Sequence, residues 1–436
     1  MLGETISNGR LKLVQRLGEG AYGVVYRAVE TEPSSSSSSN TDIKEYAVKV
    51  LAKAPESSRR WLFQQREILG HKVVSENPNV VTLHRVIEKK GYVYLVTDYC
   101  PGGDMFSAIM ERRMFCGRDD LIKKVFVQIV DAVHSCHEKG IFHRDLKPDN
   151  IFCMDKDASE IALGDFGLST SSTKSRSFGC GSAYYLSPEC IGKEFDFRPY
   201  SPQTGDVWAL GIILCNMIVG RNPWHYATTD DQCFLRFMAN PEYLPSVLPI
   251  SEAANQIFRR IFTFDPSSRI TIPELRELIL EADTFFMAPE QVAKSRCLVK
   301  IVAETYTAIQ PRSLCSADIR AIREEEAIFN RSENMLDGVV VEDPADHFRI
   351  VNVVGTTTSA FAAAHYDSDS GSGSDDECEG PITPESHPQD SNILVEVPDF
   401  PSEENMGISL VPIAQKKLGQ GPPVESLVER LAKFAL

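Results

Sequence analysis

The chain has 436 residues, a hydrophobic content of 42% and a formal net charge of −16 at pH 7. The hydrophobic content is sufficient for a packed core, but no apolar run approaches the roughly 18 residues needed to span a bilayer. The amino terminus has no signal-peptide pattern, so the sequence predicts an intracellular protein, in the cytoplasm, the nucleus or both, with no membrane partner. The 11 cysteines include no C-x-x-C pair, which favours reduced thiols over zinc sites or disulfides.

The negative charge is concentrated in the last third of the chain. Residues 290–436 hold 25 Asp and Glu against 12 Lys and Arg, and the remainder of the chain is close to neutral. So acidic a segment argues against nucleic acid as a partner. Residues 365–390 are rich in Ser, Asp and Pro, and they are too polar to offset the entropy of ordering. We therefore expect 290–436 to be an acidic regulatory tail, mostly disordered, with short helices predicted at 317–329 and 425–436.

Upstream of the tail, predicted strands come before predicted helices. Hydrophobic periodicity predicts three strands, a helix and two more strands, in that order, at 11–17, 24–29, 46–51, 57–74, 80–87 and 92–96. A flexible, low-complexity serine insert, 32–42, separates the second and third strands. Helices are predicted at 120–139 and, in a nearly continuous apolar stretch, at 207–219. This order indicates an α+β fold in which a small β-rich lobe precedes a larger helical lobe, with the junction near 98–103.

The strongest chemical signal is the segment His143–Asn150, which is followed by Asp165-Phe166-Gly167. Together these motifs supply carboxylates, an ammonium group and an amide within a short length of chain. Such groups suit a site that grips a metal-bound triphosphate and directs a hydroxyl group at its terminal phosphorus. Phosphoryl transfer needs little covalent help from protein, so positioning and neutralisation of charge do most of the catalysis. The two motifs resemble those of eukaryotic-type protein kinases.

A glycine-rich segment, Gly18–Val25, matches the pattern G-x-G-x-x-G-x-V. The same spacing marks dinucleotide-binding turns, but those lead into a helix, whereas here β-branched and aromatic residues continue as a strand, as in kinases. Lys49, between apolar neighbours in the next strand, could be an edge lysine that reaches to solvent. Its place after the glycine segment favours the kinase lysine, which holds the α- and β-phosphates and pairs with a helix glutamate. Glu67 is the candidate for that glutamate.

The resemblance implies a role for each residue of these motifs. Asp145 would orient the substrate hydroxyl or accept its proton, and Lys147 would neutralise the γ-phosphate. Asn150 and Asp165 would hold Mg²⁺, a hard cation that takes a few protein oxygens together with phosphates. The implied ATP-binding residues are Leu17, Gly18, Glu19, Gly20, Ala21, Tyr22, Gly23, Val24, Val25, Ala47, Lys49, Glu67, Thr97, Asp98, Cys100 and Asp104. The implied structural residues are His143, Arg144, Phe166, Gly167, Glu189, Asp206 and Arg269.

The implied substrate is a protein. Lys147, two places after the catalytic aspartate, is the form found in serine/threonine kinases, and Ser182 would face the substrate. Asp104 and Asp149 would line the peptide groove, and two carboxylates there predict a modest preference for a basic residue about three positions upstream of the target. Asn216 stands where strongly basophilic kinases carry a further acid, so we expect only a modest preference.

The activation segment, residues 165–189, departs from the usual kinase pattern. Phe178 occupies the place that is usually phosphorylated, so we expect burial of Phe178 to order the segment without a phosphate there. The stretch from Phe178 to Cys190 is most similar to fungal kinases that regulate meiosis, conjugation and nutrient-responsive growth. That similarity implies a monomeric serine/threonine kinase of nutrient or developmental signalling, which uses ATP and Mg²⁺.

The resemblance covers residues 11–286, with lobes at 11–98 and 101–286, and leaves 1–10 as an N-terminal extension. One alternative is an ATP-occupied scaffold of the pseudokinase type, whose tail recruits partners. The presence of Lys49, Asp145 and Asp165 argues against it, since inactive relatives usually lose one of the three. A small-molecule kinase is the other alternative, and it is disfavoured by the peptide-groove motif at the end of the activation segment.

Overall fold

The computed structural model describes most of the chain that precedes the predicted tail. The described residues are 1–20, 23–31, 44–240, 242–307 and 320–321. The serine insert at 32–42 and the helix predicted at 425–436 lie outside them, as does nearly all of the helix predicted at 317–329. Within the described ranges, no helix is both long enough and apolar enough to cross a membrane.

The described chain folds into a small β-rich lobe and a larger helical lobe, which confirms the predicted α+β architecture. The small lobe contains β1 (Thr5–Ile6), β2 (Leu11–Gly20), β3 (Gly23–Glu30), β4 (Glu45–Ala52), α1 (Arg59–Val74), β5 (Leu83–Lys89) and β6 (Tyr92–Asp98). Its strands form an antiparallel sheet in the order β1-β2-β3-β4-β6-β5. Ile68 of α1 packs against a buried cluster that includes Leu51 and Leu95, and this contact holds the helix on one face of the sheet.

Most strand ends lie within a few residues of the prediction, but two differences have a structural cause. Residues 1–10, predicted to be an extension, contribute β1, which pairs with β2 and buries Ile6 completely. A two-residue strand is too short to show an alternating pattern, so periodicity does not reveal it. The strand predicted to start at residue 80 begins at Leu83, because Val80 instead forms a bridge with Leu163 of the larger lobe.

The larger lobe is built around one central helix. Its elements are α2 (Met105–Met110), α3 (Asp119–Glu138), β7 (Ile151–Cys153), β8 (Ile161–Leu163), α4 (Pro188–Ile191), α5 (Pro202–Val219), α6 (Gln232–Ala239), α7 (Tyr243–Val247), α8 (Glu252–Ile261), α9 (Ile272–Glu281), α10 (Pro289–Lys294) and α11 (Cys297–Thr307). Every residue of α5 from Asp206 to Val219 is buried. A helix that is apolar all round belongs inside a core, which is why a continuous apolar stretch predicted it. Residues 99–104 join the two lobes.

The packed chain continues beyond the boundary predicted near residue 290. In α11, Tyr306 Oη donates to Met217 O of α5 at 3.0 Å, and Arg113 Nη1 donates to Thr305 O at 2.8 Å. Gly220 ends α5 with φ 66°, and a Cβ there would lie 2.4 Å from the ring of Tyr306. The helical lobe therefore includes residues up to 307. The acidic composition of the following sequence hides this apolar helix when the tail is considered as a whole.

Candidate active site

The glycine-rich segment forms the turn between β2 and β3. β2 ends with Leu17, Gly18, Glu19 and Gly20, and β3 begins with Gly23, Val24 and Val25. Ala21 and Tyr22, which follow Gly20 in the sequence, lie outside the described residues. Gly23 has to be a glycine, because a Cβ there would lie 2.3 Å from Val50 O of β4. The turn is thus held directly against the strand that carries Lys49.

Lys49 lies at the centre of a charged cluster between the lobes. Strand pairing sets it opposite Val25 of β3 and opposite Leu95 of β6. Its Nζ atom lies 2.6 Å from Glu67 Oε1 and 3.1 Å from Asp165 Oδ1. The cluster therefore joins the sheet, α1 and the Asp165 motif of the larger lobe at one point.

The charges of these three groups follow from their arrangement. Burial opposes the charge on Lys49, but Asp165 and Glu67 outweigh it, so the pKa of Lys49 is raised. Burial raises the pKa of Glu67 against the attraction of Lys49. Burial by itself would also raise the pKa of Asp165. The charge of Lys49 and its hydrogen bond have the larger effect, so the pKa of Asp165 is lowered. Lys49 and Asp165 therefore stay charged at neutral pH, as a cation beside an anion, which is the arrangement expected for phosphates and a metal ion.

The strand that leads to the lobe junction carries Thr97 and Asp98. Thr97 faces Ala47 across β4 and β6, and its Oγ1 atom lies 3.4 Å from Ala47 O. The carboxylate of Asp98 accepts hydrogen bonds from Thr82 N at 2.8 Å and from His84 Nε2 at 2.7 Å. The side chain of Asp98 is thus directed to the neighbouring strand, and only its main chain is left for contact with a nucleotide.

Two carboxylates and a thiol line the junction on the side of the larger lobe. Burial raises the pKa of Cys100 to about 12, and its sulfur lies 3.4 Å from Met154 Sδ, so this thiol is not a nucleophile. Asp104 caps α2 by accepting a hydrogen bond from Ser107 N at 2.7 Å. Burial raises the pKa of Asp104 and also that of Asp149, to which Asp104 adds its negative charge. The two predicted groove carboxylates are therefore near enough to influence each other.

Asp145, Lys147, Asn150 and Ser182 form one hydrogen-bonded cluster. Asp145 Oδ1 accepts from Ser182 N at 2.9 Å and from Ser182 Oγ at 2.8 Å. Lys147 Nζ donates to Ser182 Oγ at 2.8 Å and lies 3.5 Å from Asp145 Oδ2. Asn150 Nδ2 donates to Asp145 O at 2.8 Å and to Asp145 Oδ2 at 3.2 Å. A hydroxyl group brought to this cluster would meet a carboxylate acceptor and an ammonium group at once.

The oxygen atoms predicted to hold a metal ion suit that purpose. Nδ2 of Asn150 donates its hydrogen bonds to Asp145, so the amide oxygen of Asn150 is the atom that can bind a cation. Asp165 has a left-handed backbone, φ 57°, and a side chain that is 45% exposed. Its Oδ1 atom contacts Lys49 and accepts from Gly167 N at 3.3 Å, which leaves Oδ2 for a metal ion. One amide oxygen and one carboxylate fit a hard divalent cation that keeps water and phosphate ligands.

His143 supports this region structurally. Its Nε2 atom donates to Gly164 O at 3.0 Å and its Nδ1 atom accepts from Asp145 N at 3.3 Å, so both ring nitrogens are engaged. Phe166 is fully buried between two imidazoles, 5.0 Å from the ring of His143 and 5.1 Å from that of His71. The sequence analysis missed His71. It lies one helical turn after the glutamate of α1, and this spacing on one helix face is the signal that could have found it.

Asp206 of α5 anchors the backbone of the catalytic segment. Its Oδ1 atom accepts from Arg144 N at 2.8 Å, and its Oδ2 atom accepts from His143 N at 2.8 Å. His137, a second residue that the sequence analysis missed, donates from Nε2 to the same Oδ2 atom at 2.8 Å. The central helix therefore fixes the position of the segment that carries Asp145.

Hydrogen bonds hold the first half of the activation segment. Arg144 Nε donates to Leu168 O at 2.7 Å, and Arg144 Nη1 donates to Ser175 Oγ at 3.4 Å. Ser175 and Tyr200 exchange both backbone hydrogen bonds, at 2.8 and 2.9 Å. Tyr200 Oη also donates to Ser177 O at 2.8 Å. No sequence pattern points to Tyr200, because it lies after the activation segment in an irregular stretch.

Phe178 adds aromatic packing to these bonds. Its ring lies edge-on to Phe197, with centroids 5.2 Å apart, and tilted against Tyr200, at 5.6 Å. The neighbouring Gly192 has φ 91°, and a Cβ there would lie 2.6 Å from the ring of Phe178. Phe178 is only half-buried, so the expected burial is incomplete, but its aromatic contacts give its contribution to order a packing basis. Its independence from phosphate stays a prediction.

A buried ion pair fixes the end of the activation segment. Arg269 Nη2 donates to Glu189 Oε2 at 3.0 Å, and Arg269 Nη1 donates to Thr204 O at 2.8 Å. The guanidinium group of Arg269 also lies 4.9 Å from the ring centroid of Trp208 in α5. Both charged side chains are almost wholly buried. Removal of one partner from such a pair typically costs about 3–5 kcal/mol, so the contact is structural.

Comparison with known proteins gives a consistent result. A family model described as "Protein kinase domain" matches residues 11–278. The "Negative regulator of sexual conjugation and meiosis" of Schizosaccharomyces pombe is 39% identical over 319 residues, covering 68% of this chain and 66% of the relative. "Serine/threonine-protein kinase VHS1" of Saccharomyces cerevisiae is 32% identical, with coverages of 63% and 70%. "Serine/threonine-protein kinase ksp1" of S. pombe is 33% identical, with coverages of 62% and 56%. The chain thus spans between 56% and 70% of the length of these relatives.

Proposed function

Since the chain belongs to the protein kinase family, we propose that it transfers the γ-phosphoryl group of ATP to serine or threonine hydroxyl groups of protein substrates. One continuous set of contacts carries the proposal. Lys49 Nζ lies 3.1 Å from Asp165, the adjacent Gly164 N donates to Asn150 O at 2.9 Å, and Asn150 Nδ2 donates to Asp145 O at 2.8 Å. The cation for the phosphates, the metal-binding oxygens and the carboxylate for the hydroxyl group are thereby joined in one cleft.

The reaction that we propose uses each of these groups once. Lys49 binds the α- and β-phosphates, and Asp145 orients the substrate hydroxyl and accepts its proton as the new bond to the γ-phosphorus forms. The bond from that phosphorus to the β-phosphate oxygen breaks, and Lys147 neutralises charge on the transferred group. Mg²⁺ at Asn150 and Asp165 would neutralise phosphate charge. The hydrogen bonds from Ser182 hold the carboxylate of Asp145 in place.

The substitution Asp145→Asn distinguishes an active kinase from the alternative, an inactive scaffold that only binds ATP. The substitution keeps the shape of the side chain but removes the base, and general-base assistance is typically worth about 10² to 10⁴ in rate. We expect that loss in radiolabel transfer from ATP to protein, with nucleotide affinity retained. Asp157→Asn, at an exposed aspartate in the β7–β8 turn, is the matched control and should transfer label normally. ATP binding without transfer by the wild-type chain would instead favour the scaffold.

We propose a modest preference for a basic residue about three positions upstream of the target. Asp104 and Asp149 support it, since both are desolvated carboxylates on one side of the junction. Asn216 is neutral, and its amide accepts from Tyr185 Oη at 3.1 Å and donates to Asn222 Oδ1 at 2.7 Å, so it offers no further charge. A phosphorylation profile indifferent to upstream charge in a peptide library would reject this preference.

We also propose that the protein acts as a monomer inside the cell, in nutrient or developmental signalling. One of the two S. pombe relatives is named as a negative regulator of sexual conjugation and meiosis, and this name supports the signalling role through similarity alone. The cysteines of the described ranges are free thiols, as expected in a reducing compartment. Proteins that lose phosphorylation soon after acute inhibition of this kinase should belong to such pathways. A set of proteins confined to unrelated processes would contradict the role.

A further inference from the structure

Three aromatic side chains, two of them exposed and one half-buried, form a platform beside the catalytic cluster. The aromatic platform consists of Tyr184, His225 and Tyr226. The ring of Tyr184 lies 6.1 Å from that of Tyr226, nearly parallel at 18°, and 6.2 Å from that of His225. Tyr226 is 45% exposed and the His225 side chain 51%. None of the roles assigned above uses these rings, and clustered exposed aromatic groups are typical of binding surfaces.

The platform lies within reach of a bound substrate. Ser182 N donates to Asp145 Oδ1 at 2.9 Å, so the hydroxyl group to be phosphorylated has to approach Ser182 closely. Tyr184 follows two residues later, and two residues span at most about 7 Å. With the length of its side chain, its ring lies at most about 20 Å from the reacting hydroxyl. An extended peptide advances about 3.3 Å per residue, so the platform can contact a residue within roughly six positions of the target.

Carboxylates hold the loop of the platform in place. Asp231, the cap of α6, accepts at Oδ2 from His225 N at 2.8 Å and from Tyr226 N at 3.2 Å. Glu194 accepts at Oε1 from Thr229 N at 2.9 Å and from Thr229 Oγ1 at 2.7 Å. A loop fixed at both points loses little conformational entropy when a ligand binds to it. The platform is therefore pre-organised.

Charge selects the kind of side chain that fits. The faces of tyrosine rings attract cations, and a guanidinium group can stack on them because it is planar. The carboxylate of Asp231 lies 3.9 Å from His225 Nδ1, and Asp230, which pairs with Lys193, adds a further acid next to it. Carboxylates beside electron-rich rings favour a cation over a neutral aromatic side chain.

We infer that the aromatic platform is a specificity subsite for an arginine side chain of the protein substrate, within about six residues of the phosphorylated residue. This inference rests on the proposed function. It concerns a different subsite from that of Asp104 and Asp149, because the platform is built on the loop between α5 and α6 and on the end of the activation segment. A substrate with two arginines could use both subsites.

An arginine scan with the full chain tests the inference. The parent peptide has one serine among alanines, and a single arginine is moved from position −6 to position +6. We measure, for each enzyme, the ratio of kcat/KM for each arginine peptide to that for the parent, so that a general loss of activity cancels. In the wild-type enzyme this ratio should reach a maximum of about 3 to 30 at one position other than the one assigned to Asp104 and Asp149. That range is expected for a cation on a tyrosine face.

Matched variants assign that maximum to the rings. Tyr184→Ala and Tyr226→Ala should abolish the maximum, Tyr184→Phe should retain it, and Tyr92→Ala, at an exposed tyrosine of β6, should not alter it. A maximum that persists in both alanine variants overturns the inference, and so does the absence of such a maximum in the wild-type enzyme. Failure of the wild-type enzyme to phosphorylate any peptide or protein would instead overturn the proposed function itself.

Discussion

Lys49 and Glu67 form an ion pair, with 2.6 Å between Nζ and Oε1, that joins β4 to α1. The two side chains are only 22% and 9% exposed, so solvent screens the pair weakly. Lys49 also contacts Asp165, which belongs to the larger lobe. The position of α1 and the geometry of Lys49, the cation proposed to bind phosphates, are therefore set by the same contacts.

Loss of the charge on Glu67 should weaken ATP use. Hydrogen bonds to charged groups typically contribute about 1.5–3 kcal/mol, so we expect Glu67→Gln to lower kcat/KM for ATP about 10- to 100-fold. The exposed pair of Lys53 and Glu88 offers the control, since Glu88→Gln should change this value less than twofold. Steady-state kinetics with varied ATP measure both. Equal values for the two variants would show that the ion pair does not position Lys49.

The preference for basic peptides should depend on pH. Burial raises the pKa of Asp104 and of Asp149 above the ordinary carboxyl value, so both begin to take up protons at a higher pH than a free aspartate as the pH falls. Only the ionised carboxylates attract an arginine. The ratio of kcat/KM for a peptide with arginine three positions upstream to that for its alanine counterpart should therefore decrease from about pH 8 to pH 5.

The same ratio distinguishes protonation of the groove carboxylates, Asp104 and Asp149, from protonation of other groups in the cleft. Lys49, with its raised pKa, and Asp165, with its lowered pKa, stay charged over this range. Any effect of pH on ATP itself cancels between the two peptides. In the double variant Asp104→Asn and Asp149→Asn the ratio should be low and constant. A ratio that still falls with pH in that variant would assign the dependence to other groups.

Order in the activation segment should depend on Phe178 and not on phosphate. Phosphatase treatment, checked by mass spectrometry of residues 165–189, should leave the activity of the wild-type enzyme within twofold. Phe178→Ala should lower kcat about tenfold, because two aromatic contacts of about 0.5–1.5 kcal/mol each are lost. Phe195→Ala, whose ring stacks on Phe264, removes a similar ring nearby and should have little effect on kcat. Inactivation by the phosphatase would refute the idea.

Helix α11 should be required for a stable helical lobe. A chain that ends at residue 288 loses the buried side chains of Val299, Val302 and Tyr306 and the hydrogen bond to Met217. Each buried apolar side chain contributes about 1.5–3 kcal/mol, and we expect Tm to fall by roughly 5–15 °C. A chain that ends at residue 307 should melt within about 2 °C of the full chain. Thermal unfolding of the three chains, followed by fluorescence, decides the matter, and equal melting temperatures would show that α11 adds nothing.

The chemistry of the cleft was predictable because its residues occur in short motifs. His143–Asn150 and the Asp165 motif combine charged and amide groups at fixed spacing, so their chemistry can be identified before the fold is known. The strands and the helices α1, α3 and α5 were predictable for a different reason. Each buries one face, or in α5 the whole surface, and the residue pattern reflects that burial directly.

Other features of the molecule left no such pattern. The side chain of Asp98 lies in the predicted junction yet bonds to β5, and β1 is too short to show periodicity. His71 and His137 look like ordinary helix residues until Phe166 and Asp206 are placed beside them. For the two histidines, the partner comes from a distant part of the chain.

The sequence by itself determined the protein family, the order of the two lobes and the identity of the reacting groups, because those properties depend on residue types within short segments. Only the tertiary structure decided which other distant residues meet: His71 with Phe166, Tyr200 with Ser177, and Tyr226 with Tyr184. Such contacts depend on how helices and loops pack around α5, and packing is a property of the whole folded chain that local composition does not encode.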